Sequence, residues 1–554
     1  MRPTFILCSA ALITSSALAQ TSIVTGPSSS ATPYVVPVGN AVTDLVSIIT
    51  VGDSVGGYTF YGIPDGMGAL AGSTGTFDLY VNHEIAATVG GARRAHQPKG
   101  WPLTGGAFIS GWNVNKSDFR VNSGSDTITS VATVTNGTGG SLYNFQRFCS
   151  GEIPAANSLF NANTGKGTQN RFYLTGEEGG TPGRGIATDI STGIGYQMTA
   201  LDASAGSWEN IVCRPYESDT TVAIALSDGG ANRVFLYVGT KQDSGNPAER
   251  AGLLNGTSYG IVVNVNGSAL TNESRDFALS AVAPAVYSGT FTLAAGGTAA
   301  GTTFLRPEDG AWDPANPADF YFVTTDRMSI TSGGAAQSSG SRLYRLRFSD
   351  INNVLAGGTI EALIEGTGSY PKAIEMGDNL CVINTIQGGT RVFITEDPGN
   401  NPHSARTVMY DVATDTATTI MQSDRARFGG FTSNGAGGWT SQAATAPFSQ
   451  DEENSGNFEA TEVFGRGWFI QNMQAHYSLA APLVEGGQLY AYFCPECVGS
   501  VREDLSTPLD GIVSAEDLAE LLNNWGGTGR SDINRDGVTD AADLGALLSA
   551  WNAN

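Results

Sequence analysis

Basic residues are scarce: 29 Lys and Arg stand against 52 Asp and Glu, a formal charge of −23. A surface so acidic repels phosphate backbones and anionic lipid, which argues against nucleic acid and membrane surfaces as partners. Beyond the N-terminus no apolar run approaches the roughly 20 residues of a membrane span. A glycine-rich phosphate loop is missing, which weighs against nucleotide-driven chemistry. Helical patterning is thin along most of the chain. In its place stand 72 Gly, much Ser and Thr, and short apolar runs broken by turn residues. That is the pattern of an all-β protein. At 554 residues the chain exceeds one compact core, so one large domain with a small addition is expected.

Residues 1–19, "MRPTFILCSAALITSSALA", carry one positive charge, an apolar stretch and a small-x-small end at Ala17-Leu18-Ala19. This reads as a secretory signal peptide, and it places the mature protein in a periplasmic or extracellular space. Five cysteines follow: Cys149, Cys213, Cys381, Cys494 and Cys497. An odd number in an exported protein leaves a thiol unpaired or on a metal. Cys494 and Cys497, in "CPEC", suit a local disulfide, an incomplete zinc site or a reactive pair. Cys213 and Cys381 sit in apolar runs and read as core filler.

Between residues 20 and 490 one unit recurs. A carboxylate opens a short strand, a turn follows, and a second strand ends in a polar residue. "CSGEIP" with Glu152 leads to "NRFYLTGEE" and Glu178. "SWENIVCRP" with Glu209 leads to "TTVAIALSD" and Asp228. "LRPEDGAWDP" with Glu308 leads to "DFYFVTTD" and Asp326. "KAIEMGDN" with Glu375 leads to "TRVFITED" and Asp397. Asp65 with Glu84, and Glu453 with His476, complete six units. Each is too small to bury its own apolar faces, so radial repetition into a six-bladed β-propeller is predicted. The opening carboxylates then share one ring about the axis. Like charges so close raise one another's pKa unless cations lie among them. Carboxylates alone suit Ca²⁺, whereas Cys149, three residues before Glu152, adds a donor for a softer metal such as iron or zinc.

The last 54 residues change character, after a linker at 491–500. "EDLAELLNNWG" and "ADLGALLSAWN" are two copies of one amphipathic helix, 26 residues apart. Before the second lies a calcium loop: Asp532, Asn534, Asp536, the Val538 carbonyl, Asp540 and Asp543, with Gly537 at the sharp turn. In the first copy Ser506 and Pro508 replace the leading ligands, leaving Asp510, Ser514 and Asp517. Loop–helix pairs of this kind resemble a dockerin. The resemblance implies a small all-α calcium-folded module at 501–554 that binds a cohesin-like or cell-surface protein.

"YVNHE", "CSG", "LTGEE", "RPEDGAWDP", "TEDPGNN" and "DEENSG…GWFIQNMQAHY", in that order, resemble the PhoX family of secreted alkaline phosphatases. The resemblance implies a six-bladed propeller, Fe³⁺ and Ca²⁺ in its centre, and hydrolysis of small phosphomonoesters. It implies that Cys149, Glu209 and Glu308 hold iron, that Glu84 and Glu178 hold calcium or support the site, and that Arg306 contacts the substrate phosphate. The unit repeat adds Glu152 and Glu375 as metal candidates. The chain departs from the family in reading "FCSGE" around the cysteine and Trp208 before Glu209. Two other readings compete. One is a non-catalytic calcium-binding propeller that binds a glycan or protein and is displayed through its C-terminal module. The other is a calcium-dependent lactonase or diesterase. For Arg306 the plain alternative is a surface ion pair with Asp313, and Asp309 and Asp313 are expected to cap the turn between strands.

Overall fold

A computed structural model describes residues 21–551, apart from 103–104, 133–142, 181–182, 203–206, 273–287, 297–299, 336–339, 367 and 369. The signal-peptide reading at 1–19 lies outside the described residues. Strand dominates, and the arrangement is propeller-like. Six short strands face the axis: β1 (Pro64–Ala71), β2 (Phe148–Glu152), β3 (Asn210–Cys213), β4 (Pro307–Trp312), β5 (Gly377–Asn384) and β6 (Glu452–Glu459). Each lies beside the next, and β6 returns to β1. From each, an antiparallel meander runs outward.

The expected six blades are not six separate sheets. Four sheets of blade size stand alone, built on β1, β2, β5 and β6. The meanders from β3 and β4 merge into one ten-stranded sheet. The cause is Ser288–Ala295, which pairs with Thr257–Val265 on one side and Gly358–Glu365 on the other.

Alternation explains the strands. In Thr76–His83, Phe77, Leu79 and Val81 are buried while Asp78 and Tyr80 keep partial exposure. These side chains share one cluster with Met67 and Trp112 of their own sheet and with Ile470, Leu489 and Ala491 of the adjoining one. Similar layers join the other neighbours, for example Tyr321 and Val323 with Val392 and Ile394. Each such buried side chain is worth about 1.5–3 kcal/mol, so the ring is held by its sheet-to-sheet seams. The N-terminal strand Asp44–Thr50 pairs with Glu485–Phe493 of the last sheet, tying the two ends together.

The C-terminal residues form α1 (Ala515–Asn523) and α2 (Ala541–Ser549). Ser514 and Asp540 cap them in matching capping boxes with Asp517 and Asp543. Leu505, Val513, Leu521, Ile533 and Leu547 form their small core. The 491–500 segment is no loose tether. Residues 491–493 finish the last strand, and Cys494, Cys497 and Val498 are fully buried. Cys494 and Cys497 form a disulfide. The helical pair rests on the main body through Arg535, whose Nη2 is 2.8 Å from Asp44 Oδ2, and through Arg530, stacked 4.7 Å over Phe493.

Candidate metal centre

The start of each inner strand decides what reaches the axis. In β1, β2, β4, β5 and β6 the register slips by one residue at the strand opening, between Pro64 and Met67 in β1 and at matching places in the rest. Such a bulge bends the strand and re-aims the side chain within it. The bulges carry Asp65, Cys149, Glu308 and Asp378 in β1, β2, β4 and β5. Ahead of four of them the backbone turns left-handed at a non-glycine residue two positions earlier: Ile63 (φ 54°), Arg147 (30°), Arg306 (56°) and Met376 (51°). The carbonyls of these four accept from the ends of the second strands, at Glu84, Glu178, Thr325 and Asp397. His476 bonds to Asp451 in the same way. Two of those ends are clamped from behind. Glu177 is gripped by Arg184 through two bonds of 2.6 Å, and Glu396 by Arg406.

The result is a polar cavity of about 180 Å³ on the axis. Cys149, Glu209 and Asp65 offer donor atoms within 4.8 Å of one another, as do Cys149, Glu84 and Glu178. Glu209, Asp228 and Glu308 form a third group, and Asp378, Asp397 and Glu453 a fourth. The Cys149 thiol thus joins two groups, and it donates to Glu178 Oε2 at 3.3 Å. Arg306 reaches Asp228 at 3.3 Å and Glu308 at 3.2 Å. Arg147 reaches Glu178 at 2.9 Å and Glu84 at 3.8 Å. His476 lies between Glu485, at 2.5 Å, and Glu453, at 3.7 Å.

Burial pushes the carboxyls of Asp65, Glu84, Glu209, Glu308 and Asp378 well above the usual range, and their neighbours' charge adds to it. Asp228 is lifted to about 6, first by burial and then by Glu178, with Arg306 opposing. Its Oδ1 is buried without a hydrogen-bond partner. Glu178 differs: burial, the largest influence, works against its charge, but Arg147 together with hydrogen bonds to Glu84 and Cys149 holds it below its ordinary value. Burial likewise opposes charge on His476, yet Glu453 and Glu485 raise its pKa. Nine carboxyls and a thiol against two guanidiniums and one imidazole leave a strong deficit of positive charge. This donor set fits divalent or trivalent cations. The two groups containing Cys149 suit a softer metal, and the all-oxygen groups suit calcium.

Of the sequence-predicted residues, Cys149, Glu209, Glu308, Glu84, Glu178 and Arg306 meet in this cavity. Glu152 does not. It follows the bulge of β2 by enough to face a second axial cavity, beyond a layer of Ser150, Asn210 and Asp309. There it accepts from Cys213 N at 2.5 Å, and burial lifts it to about 8. Glu375 does not either. It precedes the left-handed turn at Met376 and points back to Ser329, which donates through both its backbone and its hydroxyl. Asp378 takes its place. Thr325 occupies the position expected of Asp326, and its hydroxyl donates to Glu308. Asp313 caps its turn, accepting from Ala315 and Asn316, and does not pair with Arg306. Asp309 instead turns inward, accepting from Asn210 Nδ2 at 2.6 Å and Leu380 N at 3.1 Å as well as from its neighbour Gly310 N at 2.6 Å.

Asp65, Asp228, Asp397, Glu453 and His476 were visible as members of the repeat but not as ligands, and Asp378 and Arg147 were missed. The triplets Arg147-Phe148-Cys149 and Arg306-Pro307-Glu308 could have revealed Arg147.

In the C-terminal loop the carboxylates rest on backbone amides. Asp532 accepts from Asp536 and Gly537, and Asp543 from Asn534 and Asp540. Asp536 accepts from Val538, and Asp540 from Ala542. In the first loop the fully buried Asp504 accepts from Gly511 at 2.8 Å, as Asp532 does from Gly537. Asp504, two residues upstream of Ser506, thus makes in the first loop the hydrogen bond that Asp532 makes in the second.

No family model matches the chain, and no curated protein does. Solved structures are similar in trace. PhoX of Pseudomonas fluorescens in complex with vanadate, a transition state analogue, is 12% identical over 87% of this chain and 99% of its own, with a TM-score of 0.48. The alpha-L-arabinanase of Penicillium chrysogenum complexed with arabinobiose is 9% identical over 84% and 99%, with a TM-score of 0.36. A protein of unknown function from Dyadobacter fermentans is 7% identical over 81% and 99%, with a TM-score of 0.37. Likenesses this distant assign no residue a role. Among the described residues no helix is long and apolar enough to cross a membrane.

Proposed function

We propose that the chain is an exported, metal-dependent phosphomonoesterase of PhoX type. The strands from β3 and β4 serve as two blades of six, and residues 501–554 form a dockerin-like calcium module that docks a partner protein. The observation that carries the reading is the axial cavity, where carboxyls far in excess of positive charge converge beneath Arg306. Cys149, Glu209 and Glu308 would hold iron, with Asp65 and Asp228 beside them. Asp378, Asp397 and Glu453 would hold calcium. Cations there concentrate positive charge on phosphoryl oxygens and lower the pKa of a bound water.

The chain's own groups supply the rest. The Arg306 guanidinium, 46% exposed at the mouth, presents a planar fork matched to two phosphoryl oxygens. Its present partners Asp228 and Glu308 are ligand candidates, so cation uptake frees the fork for substrate. The Cys149 proton is already directed at Glu178 Oε2, toward the mouth, which gives it a path out when the thiol becomes a thiolate donor. Thr325 fixes the Glu308 carboxylate from behind.

A second reading, the calcium-binding propeller without catalysis, is favoured by one observation: both guanidiniums at the mouth are engaged by acids of the cluster. Hydrolysis of p-nitrophenyl phosphate by protein loaded with iron and calcium, compared with chelated protein, separates them. The enzyme reading expects turnover that chelation abolishes. No turnover by fully loaded protein refutes it.

A further inference from the structure

Arg147 has no part in the reading above, yet it repeats Arg306 in three respects. Each lies two residues before a ligand candidate on an inner strand, Cys149 on β2 and Glu308 on β4. Each adopts the left-handed backbone of that turn. Each keeps 46% of its side chain exposed beside acids that are much more deeply buried. The same turn is made by Ile63 and Met376 on β1 and β5, so the backbone requires the conformation but not an arginine. Arginine at two of these four places is a property of the cavity mouth. Between the two lies β3, and Glu209, the residue just before it, lines the cavity. Both guanidiniums can therefore face one compact molecule from two sides. At about 180 Å³ the cavity is smaller than a drug-sized pocket, so the reacting end of that molecule is small.

We infer that the site takes phosphomonoesters carrying a second oxyanion close to the phosphoryl group, with Arg306 on the phosphoryl oxygens and Arg147 on the second anion. The inference rests on the phosphomonoesterase reading and adds the substrate class to it. A bidentate guanidinium binds a carboxylate or a second phosphate with the same geometry, and it rejects an ammonium. The competing role for Arg147 is local: to neutralise Glu178 and Glu84 so that they fold against each other.

The test uses non-hydrolysable probes and calorimetry on the metal-loaded full chain. Methylphosphonate carries one anionic group, phosphonoacetate adds a carboxylate, and 2-aminoethylphosphonate adds an ammonium. Wild type should prefer phosphonoacetate to methylphosphonate by about ten- to a hundredfold, the size of one charge-assisted contact. It should bind 2-aminoethylphosphonate more weakly than either. Arg147→Gln should bring the first ratio to within about twofold, and Arg147→Lys, which keeps charge without the fork, should fall between. Metal content and thermal midpoint, read on both variants, identify any that is misfolded, and the lysine variant then carries the comparison. A wild type that binds methylphosphonate without preference overturns the inference and leaves the phosphomonoesterase reading standing. So does an Arg147→Gln that weakens both probes equally, which is the behaviour of a local neutraliser. A loaded wild type that binds no phosphonate refutes the phosphomonoesterase reading itself.

Discussion

Glu375→Gln distinguishes a buried structural acid from a metal ligand. Glu375 is fully buried beside the cavity but turned away from it. Burial, helped by the nearby Glu396 and opposed by Ser329, lifts its pKa from 4.5 to about 7. An unfolded chain ionises this group near 4.5, whereas the folded chain resists until about 7. The folded pKa is raised, so the group's contribution is fully present below pH 4.5, falls as pH rises, and levels off above 7. The size is 2.5 units at about 1.36 kcal/mol each, or about 3 kcal/mol. Glutamine is neutral throughout and similar in shape. Urea unfolding of the metal-loaded protein between pH 4 and 8 should therefore show wild type losing about 3 kcal/mol more than Glu375→Gln, with equal metal content. Parallel stability curves for the two proteins would refute the burial argument. Loss of metal in the variant would restore Glu375 to the ligand set.

Other expectations follow from the same geometry. Arg306→Lys should lower kcat/KM by about ten- to a hundredfold at unchanged metal content, because lysine lacks the fork; unaltered kcat/KM would remove Arg306 from substrate binding. Cys149→Ser should lower bound iron and spare calcium, since a hydroxyl is a poor donor to a thiolate-preferring metal; elemental analysis reads both, and full iron retention would make Cys149 a packing residue. In the C-terminal module Asp532→Asn should abolish calcium-dependent protection of α2 and Asp504→Asn that of α1, read by hydrogen exchange on the full chain. Protection unchanged by calcium in wild type would exclude a calcium-folded module.

The ring of carboxylates was legible because each meander repeats one order: acid, turn, and a polar residue that is an acid in five units and His476 in the sixth. That order survives in the sequence even though the spacing between units does not. The bulges hid the rest. Strand alternation assigns faces by counting in twos, and an extra residue at the opening of β5 reverses the count, so Glu375 looked like the cavity residue where Asp378 is. The same slip sends Glu152 past the cavity while Cys149 enters it. The fusion of the β3 and β4 meanders depends on Ser288–Ala295 pairing with strands on both sides, which no local pattern announces. Asp504 escaped because its reach to Gly511 crosses the break in the ligand spacing.

The central claim is that the axial cavity holds metal. Its most direct test is elemental analysis of the purified full chain beside Glu209→Gln, whose carboxylate belongs to two of the four donor groups. The account predicts several cations per chain in wild type, iron and calcium among them, with iron falling in the variant while the fold persists. A wild type free of metal, folded and equally stable with and without chelator, would contradict it.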